Sequence, residues 1–419
     1  MIKQVAIADL MIGMYICDIN RDWIDHPFFR GSFLLRRPND LAWLRESGID
    51  SVFIDTRRGL DPDAVPTPAD TQDLEASEPE PAPELPPAAA PPEPRPRSVT
   101  ATPTPFHEEV VIARQVRREA ERVVRSVLQD ARHGQKVQVE HLSPVVIRIA
   151  DSVLRNPGAL LSLCRMREAD SCTFQHSLSS CALMILFAHH LGLDRHSMEE
   201  AGLGGMLHDI GKMRVPEHIL NKPSAFTDEE FEVMRTHVPL GLETLAQTPG
   251  ISDMVVQVAA EHHERCDGSG YPEGLTGAEL TLLGRMAAIV DVYDALSSMR
   301  VYHHNLEPAA ALRQVYLWSP DLFDRGLVEQ FIQAVGIYPV GSLVRLASGR
   351  LGVVTDQNRS NLLRPVVRVF YDIRMGRRLP PRDLDLSTPE LADEPILSAE
   401  DAGEWRVNPL SILNPGQSA

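Results

Sequence analysis

The sequence predicts a mainly α protein: a central helical bundle, a small α+β module before it and a small β-rich unit after it. Three observations carry that prediction. From Phe106 onward apolar residues recur at i, i+3 and i+4, with Val110, Ala113, Val116, Ala120, Val123, Val127 and Ala131 on one stripe. From Ser342 the pattern changes to short β-branched runs parted by Gly and Asn, such as Gly352-Val-Val-Thr355 and Pro365-Val-Val-Arg-Val-Phe-Tyr371. Between the first sixty residues and the helices, residues 61–105 hold 14 of the chain's 33 prolines, among Ala, Glu and Thr. Such a segment cannot bury enough apolar surface to offset its chain entropy, so a linker is expected there.

Taken in order, residues 1–60 form the first module. Gly13-Met-Tyr-Ile-Cys17 alternates like a strand, Leu41 to Gly48 reads as a short helix, and Ile49, Val52, Phe53 and Ile54 read as a second strand. Asp25 and His26 are neighbours, and such a lone pair belongs on a solvated turn. After the linker, residues 106–158 are a helical lead-in. Its first helix ends at Gly134, its arginines form a solvated face, and a second helix opens at Ser143-Pro144 with Pro in the first helical position. The bundle proper covers 159–338. Its helices are expected over Phe174–Leu191, Met198–Asp209, Thr227–His237 behind a capping box, Ile251–His263, Leu283–Met299, Glu307–Trp318 and Asp324–Val335. The β-rich unit is expected over 339–390, with 391–419 as a loose tail.

With 419 residues, 43% of them hydrophobic, the chain can build a sizeable core. A net charge of −17 excludes a general binder of nucleic-acid polymers. A phosphate ligand would then need local compensation from metal ions or a few Lys and Arg. The five cysteines (Cys17, Cys164, Cys172, Cys181, Cys266) are scattered and form no CxxC, which reads as reduced thiols. The first ten residues lack a signal-peptide core, and no run is long and apolar enough to span a membrane. A cytoplasmic protein is expected.

Usable chemistry is densest at Glu261 to Pro272, where His262 and His263 precede a loop bearing Gly268, Gly270 and Pro272. The helical segments supply the rest: His176 on the first bundle helix, His208-Asp209 at the end of the next, His237 on the third and Asp291 on the fifth. Each lies in an apolar surrounding, as in Gly205-Met-Leu-His-Asp-Ile-Gly211, where unpaired polar groups are costly. One buried histidine is ordinarily a hydrogen-bonded core residue. Several, with two carboxylates and spread over separate helices, point to metal ions at the centre of a bundle. Mixed His and carboxylate ligands without Cys favour iron or manganese over zinc, nickel or cobalt. Seven candidate ligands exceed the needs of one ion, and two ions sharing Asp209 would use them. Such a pair suits in-line phosphoryl displacement.

The chain resembles the HD-GYP subgroup of the HD phosphohydrolase superfamily. The resemblance rests on His208-Asp-Ile-Gly-Lys212, Pro216-Glu-His-Ile-Leu-Asn-Lys-Pro223, Met234-Arg-Thr-His237, His262-His-Glu-Arg-Cys-Asp-Gly-Ser-Gly-Tyr-Pro272 and Asp291-Val-Tyr-Asp-Ala-Leu-Ser-Ser-Met-Arg300. It covers about residues 165–335, with several independent motifs in order.

The resemblance implies a metal-dependent phosphodiesterase that opens cyclic di-GMP to pGpG, in some members continuing to GMP. It implies His176, His208, Asp209, His237, His262, His263 and Asp291 as metal ligands, with Asp209 and Lys212 as the catalytic pair. Lys212, Arg300 and His303 match positions that face substrate phosphates. Asp267, Gly270 and Tyr271 belong to the signature loop, which either shapes the guanine pocket, recruits a GGDEF-domain protein or only caps the metal ligands. Where some members hold a third metal with a glutamate, this chain has Cys172, so a two-metal site is expected and the step to GMP is open. Cys266 replaces a bulkier loop residue and is assigned no role. The alternatives are a phosphodiesterase for another cyclic dinucleotide, or a receptor or partner-binding regulator. A homodimer is left open.

Overall fold

The structure, a computed structural model, describes residues 2–18, 33–35, 41, 44–45, 51–60, 102–165, 172–222, 224, 226–297, 306–319 and 321–413. Residues 61–101 of the linker expected over 61–105, the Asp25-His26 pair and most of the expected Leu41–Gly48 helix lie outside these residues, although Leu41, Leu44 and Arg45 are helical. The chain divides into two units: the N-terminal sheet, and everything from Thr102 onward except a short stretch at 224–228.

The first unit is a four-stranded antiparallel sheet of β1 (Ile2–Ala6), β2 (Tyr15–Asp18), β3 (Phe33–Leu34) and β4 (Ser51–Asp55), in the order β1-β4-β2-β3. β4 alternates, and Val52 and Ile54 point into a core with Leu10, Met14 and Ile16.

The second unit begins with α1 (Phe106–Arg132), α2 (Val139–Arg155) and α3 (Pro157–Cys164). The buried stripe of α1 uses Val124 where the sequence reading placed Val123, because the step from Ala120 lands four residues on. α2 starts at Val139, not at Pro144; burial of Val139 and Leu142 extends the helix backward and leaves Pro144 inside it. Glu109, fully buried, accepts from Ser152 Oγ (2.7 Å) and from Arg155 Nε (2.6 Å) and Nη2 (2.9 Å), which ties α1 to α2.

The bundle continues with α4 (Cys172–His190), α5 (Arg195–Leu207), α6 (Glu217–Leu220), α7 (Asp228–Arg235), α8 (His237–Ala246), α9 (Asp253–Glu261), α10 (Leu282–Ser297), α11 (Pro308–Trp318) and α12 (Arg325–Val335). A 3₁₀ turn, Ile210–Arg214, follows α5. The helix expected through His237 breaks at Thr236, so His237 opens α8. Asp324 caps α12 by accepting from Leu327 N.

The C-terminal part is a five-stranded antiparallel sheet: β5 (Leu343–Leu346), β6 (Arg350–Asp356), β7 (Val366–Asp372), β8 (Arg377–Asp385) and β9 (Ile396–Glu400), in the order β8-β7-β6-β5-β9. Residues 391–413 are therefore not a loose tail. β5 and β6 carry apolar residues on both faces, so each face needs a cover. Leu391 and Ile396 pack on one side, and Trp405, Val407 and Leu413 of α13 (Pro409–Leu413) and its approach pack on the other. Among the described residues no helix is long and apolar enough to cross a membrane.

Candidate metal centre

Three of the expected ligands sit where helices end. His208 caps α5, His262 caps α9, and His237 follows the last turn of α7. A helix end leaves its last carbonyls without intrahelical partners. Each imidazole uses one: His208 Nδ1 lies 2.8 Å from Gly205 O, His237 Nδ1 2.7 Å from Met234 O, and His262 Nδ1 2.9 Å from Ala259 O. Carbonyls only accept, so each Nδ1 carries the proton and each Nε2 presents a lone pair. The Nε2 atoms converge, with His237 and His262 3.4 Å apart and His176 and His208 3.1 Å apart.

His176 differs, because it lies within α4, where the carbonyls are engaged in the helix. Its Nδ1 lies 2.7 Å from Asp294 Oδ2, one turn beyond Asp291 on α10. Its Nε2 lies 3.1 Å from Asp291 Oδ1. His263 has no hydrogen-bond partner on either buried ring nitrogen; its Nδ1 is 3.7 Å from Asp291 Oδ2.

Asp209 lies between the two groups. Its Oδ2 is 3.4 Å from His208 Nε2 and 3.5 Å from His176 Nε2; its Oδ1 is 3.4 Å from His237 Nε2 and 3.7 Å from His262 Nε2. The ligand atoms of Asp209, His237, His262 and His263 lie within 4.8 Å of one another, as do those of His176, His208 and Asp209. The donor set fits two cations: lone pairs face lone pairs, and Asp209 Oδ1 is buried with no hydrogen-bond partner. Divalent metal ions would satisfy such an arrangement, with Asp209 able to serve both groups of ligands.

The charge states suit that role. Burial holds His237 down to about 3, His262 below its ordinary value and His263 well below it, with the Lys212 charge adding to the effect at His237 and His263. These imidazoles are neutral and ready to bind metal. Burial opposes the charge on Asp209, but Lys212 and then His208 outweigh it and hold the carboxyl well below its usual range. His176 is the exception: burial opposes its charge, yet its hydrogen bonds to Asp291 and Asp294 raise it to about 9, so it must release a proton when it binds metal. Lys212 Nζ lies 2.5 Å from Asp209 Oδ2. Gly211, between them in sequence, is required by space: a Cβ there would lie 1.9 Å from His237 O and 2.4 Å from Gly241 N.

The loop after His263 is held from beneath. Glu264, fully buried, accepts from the backbone N–H groups of Glu273 (2.8 Å), Gly274 (3.2 Å) and Leu275 (3.0 Å). Glu261 accepts from Thr281 N (2.8 Å) and Oγ1 (2.9 Å), which fixes the approach to α10 and so Asp291. Of the loop residues expected to meet substrate, Tyr271 is only 2% exposed; its ring stacks on His263 at 4.6 Å and carries Arg235 Cζ at 4.8 Å. Gly270 backs onto Glu264 and Arg265 so closely that no side chain fits. Asp267 is exposed and turns back to accept from Ser269 N at 3.0 Å. Arg300 and His303 lie outside the described residues, as does the side chain of Cys172.

Asp294, Ser179 and Glu264 were not read as site residues from sequence. The only signal for Asp294 is its i, i+3 spacing from Asp291, which puts both carboxylates on one face of α10. Glu264 could have been read from its place beside the two histidines, ahead of a loop rich in free N–H groups.

The family described as "HD domain" matches residues 158–327, and a "domain of unknown function" family (DUF3391) matches residues 2–142. The second match runs from the N-terminal sheet through α1 into the first turn of α2. The chain is 42% identical over 421 residues to "Cyclic di-GMP phosphodiesterase PA4108" of Pseudomonas aeruginosa, covering 99% of this chain and 96% of the relative. It is 41% identical over 134 residues to "3'3'-cGAMP-specific phosphodiesterase 1" of Vibrio cholerae, covering 32% of this chain and 31% of that one. Among solved structures, an HD-GYP-type protein of Bdellovibrio bacteriovorus, Bd1817, aligns over 79% of this chain and 98% of its own, at 14% identity and a TM-score of 0.45.

Proposed function

The chain belongs to the HD-GYP cyclic di-GMP phosphodiesterases of the HD phosphohydrolase superfamily, and we propose that it hydrolyses cyclic di-GMP to linear pGpG at the cluster around Asp209. The observation that carries the reading is the placement of Asp209, with one oxygen toward His176 and His208 and the other toward His237 and His262. Asp291 completes the first group and His263 the second. The ligands expected from the motifs converge on one place, and their mixed nitrogen and oxygen donors favour iron or manganese.

Two divalent ions, when bound, supply Lewis acidity to the phosphoryl oxygens and to the attacking water. The chain's own residues do the rest. Imidazoles fixed through Nδ1 present Nε2 in one orientation, so the site needs little rearrangement to act. Lys212 stands beside the shared carboxylate with an ammonium able to neutralise a phosphate oxygen. Glu264 and Tyr271 hold the loop against His263 and keep water from that side. Arg300 is assigned to the substrate phosphates on the motif alone, and His303 on its position, where many family members have a basic residue. The same loop exposes Asp267, Ser269, Pro272 and Glu273, the surface offered to a GGDEF-domain partner.

The test is turnover of cyclic di-GMP by protein loaded with Mn²⁺ or Fe²⁺, beside Asp209→Ala. Formation of pGpG by the parent alone is expected. Nucleotide bound but uncleaved would make the protein a receptor, and faster turnover of cyclic GMP-AMP would reassign the substrate. Three metal equivalents per chain would overturn the two-metal reading and bring Cys172 into the site.

A further inference from the structure

The five histidines of the cluster are not held alike. His208, His237 and His262 each lean on a neutral backbone carbonyl, and His263 has neither ring nitrogen hydrogen-bonded. His176 alone leans on a carboxylate, Asp294 Oδ2 at 2.7 Å. The other oxygen of that carboxylate, Oδ1, accepts from Ser179 Oγ, one turn along α4 from His176. Asp294 is 2% exposed, so the carboxylate has little freedom to turn away. α10 thus delivers Asp291 toward the cluster and, one turn on, a brace behind the histidine that Asp291 meets.

A carboxylate behind an imidazole fixes its tautomer and ring plane and strengthens its free nitrogen as a donor; a carbonyl does this more weakly. The two halves of the centre are therefore unequal. The half bounded by His176, His208, Asp209 and Asp291 contains the braced histidine and a second carboxylate. The half bounded by Asp209, His237, His262 and His263 contains the histidine with no hydrogen bond, steadied by the Tyr271 ring at 4.6 Å. We propose that Asp294 is a positioning residue that makes the His176–His208 half the tighter metal position, filled first and emptied last. The inference rests on the two-metal reading given above.

The test uses the metal-free full chain titrated with Mn²⁺ against a fluorescent competing chelator, with no nucleotide present. The wild type should fill in two unequal steps. Asp294→Asn should weaken the tighter step by about 10- to 100-fold, the range seen when such braces are removed, and leave the weaker step unchanged. Ser179→Ala should shift the same step in the same direction by less, and Asp294→Glu should restore part of the loss. His237→Ala should abolish the weaker step only.

A wild type with two equal steps overturns the inference, and so does an Asp294→Asn variant that weakens both steps alike or neither. A variant whose urea midpoint falls without metal while its metal steps stay put would make Asp294 a structural tie between α4 and α10. If Asp294→Asn does not fold, Ser179→Ala decides, and wild-type affinities in it overturn the proposal. A wild type that takes up two unequal equivalents but leaves cyclic di-GMP intact refutes the substrate reading and leaves this inference standing.

Discussion

Replacing Gly211 with alanine tests whether the fold is built to hold Asp209 against His237. Gly211 follows the Asp209-Ile210 step and lies against the first turns of α8. The added Cβ would sit 1.9 Å from His237 O and 2.4 Å from Gly241 N, and both are backbone atoms that cannot rotate aside. A carbon-to-oxygen contact needs about 3.3 Å, so the two segments must part by roughly 1.4 Å. Overpacking of this kind costs about 1–3 kcal/mol of stability. Its effect on the site is larger, because Asp209 Oδ1 and His237 Nε2 are only 3.4 Å apart and belong to the two segments that must part. A misplacement near 1 Å costs on the order of 100-fold in rate. Turnover of cyclic di-GMP should fall by at least that factor, and one of the two metal equivalents should weaken. Gly326→Ala is the control: its nearest neighbour is Asp324 Oδ1 at 3.4 Å, and it lies in the first turn of α12. Stability would be read from urea midpoints and metal content from elemental analysis. A Gly211→Ala protein with wild-type turnover and two equivalents would show that the centre tolerates the separation, and the argument from close packing would fail.

Asp209→Ala should abolish measurable turnover and weaken both metal equivalents, since the carboxylate faces both halves; loss of only one equivalent would end the bridging assignment. Glu264→Gln keeps one acceptor oxygen but sets an NH₂ against a backbone N–H, so a loss of about 1–3 kcal/mol is expected, with faster proteolysis between Asp267 and Leu275. Unchanged proteolysis would mean the loop is held elsewhere. Glu109→Ala removes the acceptor of Arg155, which is part-exposed, and of Ser152, and should cost about 1–3 kcal/mol by urea denaturation; a loss below 1 kcal/mol would contradict its role as the tie between α1 and α2. The metal-free protein should also lose stability as pH falls below about 6.5. There the unfolded chain protonates His237, whereas the fold resists until about 3 because of burial and then the Lys212 charge. The unfolded state binds more protons across that window, so stability falls with pH. A urea midpoint flat from pH 7 to pH 4.5 would refute it.

Most of the candidate ligands were legible because they sit in local patterns: His208-Asp209 before Gly211, His262-His263 before a glycine loop, Asp291 in an apolar helix. What held those ligands was not. Asp294 reads as one more acid on a helix until α4 brings His176 and Ser179 to it. The break at Thr236 escaped because residues 228–246 keep helical character on both sides of it. β9 was missed for a different reason. Ile396–Glu400 is short and mixed, and its partner β5 lies some fifty residues earlier, so only the non-local ladder Leu343↔Glu400 to Leu346↔Ile396 makes it a strand. Pro144 was assigned by the preference of proline for a first helical position, which lost to burial of Val139 and Leu142.

The histidines placed at helix ends have an electrostatic consequence. Peptide dipoles add along a helix, leaving roughly half a negative charge at its C-terminal end. α5, α7 and α9 all finish at the cluster, while α8 begins there at His237, so the backbone itself directs a net of about one negative charge there. Two divalent ions would bring four positive charges against the two ligand carboxylates, Asp209 and Asp291. The helix ends would offset about half of the excess without occupying a coordination position. What remains positive, with Lys212, would form a small well of favourable potential in a chain whose net charge is −17. An acidic surface and a doubly phosphorylated ligand are thereby compatible: the surrounding field disfavours anions in general, and the centre admits one that reaches its floor.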